Sequence, residues 1–122
     1  MYFWDMSQDA WMHKPNDVGV GVSITFSKSA TAYQNGPSAV NIAGYDGTYQ
    51  ELPIGPDGIR TQVWIVDMGG TRVTITLEAQ PSTTAAELAE AQAIIESIHR
   101  EPAPTGGSWR LTFALPAGWD SG

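Results

Sequence analysis

The chain has 122 residues with 6 Lys plus Arg against 13 Asp plus Glu, a formal net charge of −7. That length fits one domain, and a hydrophobic share of 42% supplies a packed core. The charge argues against nucleic acid or an anionic membrane surface as partner, because both are held by clustered cations. Cysteine is absent, which excludes disulfides, thiolate catalysis and thiolate metal sites.

In chain order, Met1 to Asn16 is the least patterned stretch, and a short helix is expected over about Met6 to His13, stopped by Lys14-Pro15. Gly19 to Phe26 alternates Val20, Val22, Ile24 and Phe26 with small or polar residues, the period-two pattern of a strand with one buried face. Ala39 to Leu52 reads as a second extended region. Its Gly44 and Gly47, three apart, suggest a bulge or a tight turn where the chain approaches another backbone closely. Pro53 to Gly58 is turn chemistry. Ile59 to Asp67 and Arg72 to Ala79 form a hairpin about Gly69-Gly70, which tolerates the positive φ of a primed turn.

Pro81 to Thr84 then opens a helix expected over 84–100. Thr84 and Glu87 have the spacing of a capping box, and Leu88, Ala91, Ile95 and Ile98 lie on one stripe. Glu87, Glu90, Gln92 and Glu96 are expected to face away, with His99 and Arg100 favouring the helix C-terminus and Pro102 ending it. Residues 101–108 are a Pro/Gly/Ser linker to a final strand at 109–115, within a single domain of 1–122. No apolar run approaches the roughly 18 residues needed to span a bilayer, and the N-terminus does not read as a secretory signal.

The expected fold is α+β: an antiparallel sheet of about five or six strands with the 84–100 helix and the short N-terminal helix packed on it. Its core includes Val22, Ile24, Phe26, Val63, Ile65, Val73, Ile75, Leu88, Ile95, Ile98, Leu111 and Phe113.

Three stretches carry a family likeness: Gly44 to Leu52, Val63 to Ile75, and Ala93 to Ile98 followed by Glu101-Pro102. In this order they resemble small extracytoplasmic domains of actinobacteria found in lipoproteins and sensor-type membrane proteins, similar in outline to the PsbP-like fold. The resemblance covers about Ala39 to Pro102. It implies an extracytoplasmic, non-catalytic binding or interaction domain of a surface or sensor protein. In such domains a segment like Phe113 to Asp120 opens the domain, whereas here it closes the chain. Either the order is circularly permuted, natural or engineered, or the chain is cut from a tandem array and lends its last strand to a neighbour. The first outcome gives a monomer, the second a strand-exchanged dimer.

Chemistry-bearing patterns are few. Asp5, Asp9 and His13 would share a helix face at i, i+4 and i+8, a weak candidate for a metal or for an Asp/His pocket in a small-molecule-binding or hydrolytic domain. As a surface helix face it needs no ligand, and no second cluster completes it. There is no nucleophile elbow, no zinc-protease motif and no phosphate-cradling glycine loop, so no cofactor is expected and catalysis is disfavoured. Five tryptophans and four tyrosines stand out. Trp4, Trp11, Tyr45, Tyr49 and Trp64 are the candidate contact set for an unidentified protein or a small amphipathic ligand, against the plainer alternative of a second small core. If Val63 and Ile65 face the core, Trp64 shares the opposite face with Arg60, Gln62 and Val66.

Overall fold

The computed structural model describes residues 2–4, 9–17, 19–28, 38–68, 71–102 and 109–121. In chain order these form β1 (Tyr2–Trp4), β2 (Ala10–Asn16), β3 (Gly19–Lys28), β4 (Ser38–Ile42), β5 (Tyr45–Glu51), β6 (Arg60–Met68) and β7 (Thr71–Ala79). Then come α1 (Ala85–Glu96), β8 (His99–Pro102), β9 (Trp109–Phe113) and β10 (Asp120–Ser121). Seven strands make one antiparallel sheet in the order β10-β2-β3-β7-β6-β5-β4, and three make a small second sheet, β1-β9-β8. The fold is α+β, as the alternation and the amphipathic helix require.

Register decides which side chains share a face. Phe26, Ile75, Trp64 and Tyr49 stand in one row across β3, β7, β6 and β5. The adjacent row holds Ile24, Leu77, Gln62 and Glu51. Helix α1 covers this face, burying Ala91, Ile94 and Ile95 against Val22, Ile24, Phe26 and their β7 partners. The small sheet packs on the same face: the Phe113 ring meets Phe26 edge-on at 5.0 Å, and Trp4 lies 5.8 Å from Phe26.

The strand expected over 109–115 is β9; it ends at Phe113 and pairs within its own chain, with β1 on one side and β8 on the other. It is not the last, since β10 follows and pairs with β2. Val63 and Ile65 are buried as expected, but on the opposite face, in the rows of Thr76 and Thr74. Leu88 is only half-buried.

The chain departs from the sequence expectation at both ends of its helical content. No helix forms over residues 9–13. Ala10–Asn16 is a strand whose Met12 is buried opposite Ile24, because hydrogen bonding to β3 outweighs local preference. Residues 5–8 lie outside the described residues. The other departure is at the C-terminus of α1, which ends at Glu96 rather than near Arg100. The Ser97 hydroxyl donates to Ile94 O at 2.7 Å and accepts from the Ala114 N–H at 2.9 Å, capping the helix against the end of β9. His99 and Arg100 then pair with Thr112 and Leu111 as strand residues, so they do not sit on the helix dipole, and Pro102 ends β8. The linker is shorter too, since residues 101 and 102 belong to β8; residues 103–108 lie outside the described residues.

The N-terminus of α1 follows its sequence signal. Glu87 N–H donates to Thr84 Oγ1 at 3.1 Å, and Thr84 N–H donates to Glu87 Oε1 at 2.8 Å. Glu87 does not face away; it is buried beside Gly21. The Thr84 N–H holds its carboxyl below the ordinary value of 4.5. Burial opposes this, while the Thr84 hydroxyl, Asn16 and the Lys14 charge add to it. A carboxyl with a depressed folded pKa contributes stability above its unfolded pKa and loses it as pH falls through the folded value. Glu87→Ala is expected to cost about 1–2 kcal/mol at neutral pH. In urea unfolding at stepped pH, the gap between variant and parent should close below about pH 4.5. A gap unchanged down to pH 3 (roughly the lower end of carboxylate titration) would contradict this account of the cap.

Candidate functional site

Helix α1 covers the β3 and β7 centre of the sheet and, among the described residues, leaves the flank over β4, β5 and β6 open. The result is a cleft of about 550 Å³ between α1 and that flank. Tyr49 and Trp64 face it from adjacent strands, their rings 5.1 Å apart and tilted by 44°. Val40 and Ile42 close it along β4, and Ile95 of α1 forms the facing wall. Polar groups are placed at the floor and rim: Gln62 two residues before Trp64 on the same face, Asn41 on β4, and Gln92 and Glu96 on α1. Gln92, Ile95 and Glu96 come to one side of α1 because they are three and four residues apart.

Gln62 carries the informative detail. Its Nε2 donates to the Tyr49 hydroxyl at 2.9 Å, while its Oε1 is inaccessible to solvent and accepts no hydrogen bond. That oxygen is closed to solvent and so to a ligand in the cleft; what Gln62 does here is hold the Tyr49 hydroxyl, and with it the Tyr49 ring beside Trp64. Among the described lining residues, Glu96 is the one carboxylate.

The five aromatic residues singled out from the sequence do not form one surface. Trp4 is 4% exposed and belongs to the core beneath the small sheet. Trp11 is 40% exposed but lies on the opposite face, in the row of Thr25, Thr76 and Val63. Tyr45 packs against the core edge, where Arg100 donates to its hydroxyl at 2.5 Å and lies 5.6 Å over its ring. Tyr49 and Trp64 remain as the cleft pair. Gln62, Ile95 and Glu96 were not singled out; the signal for Gln62 was its i, i+2 relation to Trp64.

Asp5 lies outside the described residues. Asp9 and His13 are in extended chain, where a separation of four residues is about 13 Å, too far for one ion. His13 instead stacks on Trp11 at 4.0 Å, with Nε2 3.7 Å from Asp120 Oδ2. Among the described residues no three His, Asp or Glu side chains gather as a metal site, and no helix is long and apolar enough to cross a membrane.

No known protein family, curated protein or solved structure matches the chain.

Proposed function

We propose that the chain is a non-catalytic binding domain whose ligand or partner seats in the cleft between α1 and strands β4 to β6. The observation that carries this is the cleft itself, with Tyr49 and Trp64 paired at its floor and Gln62, Gln92 and Glu96 around them. A volume of about 550 Å³ is ordinary for a small-molecule or side-chain pocket, which combines apolar walls with a few convergent polar groups. The single carboxylate of the described lining favours recognition over acid–base catalysis. The resemblance of Gly44 to Leu52 and Val63 to Ile75 to actinobacterial extracytoplasmic domains of PsbP-like outline supports the same role at a cell surface. Hydrogen bonding of β9 beside β1 agrees with a permuted strand order.

The test is protein-observed NMR with indole and with a library of amide-bearing aromatic fragments. Binders are expected to move the signals of Tyr49, Gln62, Trp64 and Ile95. Trp64→Ala should weaken the best of them by about tenfold or more, since a buried aromatic contact is worth about 1.5–3 kcal/mol. Binders that map to Trp11, His13 and Asp120 instead would move the site to the other face and favour the Asp/His alternative.

A further inference from the structure

We propose that β4 accepts an extended basic peptide of a partner protein as an added outer strand, with an apolar side chain of that peptide entering the cleft. This rests on the cleft being a binding site and names the class of its partner.

The two margins of the large sheet are built differently. On the β2 side the strand carries Lys14 and Pro15, its register shifts between them, and β10 covers Met12 and His13. Charge, proline, irregularity and a covering strand are the devices that stop a sheet edge from recruiting another chain. On the other margin β4 reads Ser-Ala-Val-Asn-Ile, with no charge and no proline, and its pairing with β5 is unbroken.

The register identifies which groups β4 offers. Ala43 and Gly44 connect β4 to β5 with φ of +56° and +87°, a two-residue primed turn. Such a turn makes Ile42 and Tyr45 the closing hydrogen-bonded pair. Alternation then makes Val40–Gly47 and Ser38–Tyr49 bonded pairs as well. The N–H and C=O of Ala39 and Asn41 are left directed away from β5, and both residues are exposed.

Val40 and Ile42 point the other way, to the face of α1, and line the cleft. A strand laid along β4 presents every second side chain to that face, so backbone pairing and side-chain insertion occur together. Charge selects the kind of peptide. The chain carries −7 overall and Glu96 stands at the cleft rim. Asp46, on the other face, accepts from Asn41 Nδ2 at 3.2 Å, and Arg100, a cation at this end, is held on Tyr45. A second copy would bring the same negative charges to the junction, whereas a basic peptide is drawn to it.

The probe is a blocked heptapeptide alternating lysine with valine and leucine, followed by NMR and amide exchange. It is expected to shift and slow exchange at Ala39 and Asn41. N-methylation of alternate peptide amides, or Ala39→Pro in the protein, should weaken binding by about tenfold or more. Ala39→Pro removes an outward N–H only, so indole binding in the cleft should be unchanged. Equal binding of the N-methylated peptide, or of a glutamate-for-lysine version, overturns strand addition while leaving the cleft reading intact. Failure of the heptapeptide and of all fragments overturns both. A concentration-dependent dimer of the parent that Ala39→Pro returns to monomer would make a second copy the occupant and overturn the peptide.

Discussion

Phe113→Ala is expected to destabilise the fold by about 3–5 kcal/mol, and a chain ending at Glu101 is expected not to fold at all. Phe113 is 2% exposed and forms the edge-on contact with Phe26 on the central strand β3. Leu111 beside it is fully buried, and Trp119 is buried where its Nε1 donates to Glu90 Oε1. Glu90 also accepts from Lys14, 3.0 Å away, so one carboxylate joins α1 to β2 and to the turn before β10. Ending the chain at Glu101 removes Leu111, Phe113 and Trp119 together, leaving only the Lys14–Glu90 pair of these contacts, and it leaves β1 and β8 without the strand between them. The three buried side chains alone account for about 8–15 kcal/mol, as much as the roughly 5–15 kcal/mol that separates a folded domain from its unfolded chain. Urea unfolding followed by tryptophan fluorescence checks both statements. A cooperative transition in the shortened chain would mean that the large sheet and α1 suffice without the small sheet.

Gly47→Ala should cost about 1–3 kcal/mol and impair the cleft. A Cβ at Gly47 would lie 2.5 Å from Ile65 O and 2.9 Å from Val66 Cγ2. The first of these is backbone, so the clash cannot be relieved by turning a side chain. Strand β5 must move from β6, and Tyr49 two residues on moves with it, away from Trp64. Gly44→Ala is the instructive comparison. Gly44 has φ of +87° with open space around it, so alanine there strains only the turn, at roughly 1 kcal/mol. If the two variants proved equal in stability and in binding fragments at Trp64, the close approach at Gly47 would not be what seats the pair.

Both glycines were legible in the sequence as a turn and a close approach, as was the capping box at Thr84 and Glu87. Alternation in β3 and the Gly-Gly hairpin were equally clear, since apolar periodicity and turn chemistry agree there. β2 was not legible. Ala10–Asn16 contains a proline and no β-branched residue, and it is a strand because β3 offers it a ladder. The end of α1 was misread for a related reason: Ile98 fits a helical stripe, but Ser97 and β9 claim the residues around it. For the site, the hairpin register and the polar-flanked position of Trp64 together mark the face. A two-residue connection between Met68 and Thr71 places Trp64 opposite Ile75 and Val66 opposite Val73. The polar-flanked face of β6 is thus the one α1 packs on. That register was available from the turn, whereas the open flank beside Tyr49 depends on where the helix lies.

Phe3 pairs with Thr112, so the link from β1 to its neighbour in the small sheet spans nearly the whole sequence. Closing so large a loop costs chain entropy before any contact across it contributes, and sheets built on distant pairings fold in milliseconds to seconds. During synthesis the order of events is fixed accordingly. β3, β6, β7 and α1 emerge with their apolar faces ready, and Phe26 lacks the edge-on cover of Phe113 until that residue has left the ribosome. The interval between those two residues is when this chain is most open to a chaperone or to another copy of itself.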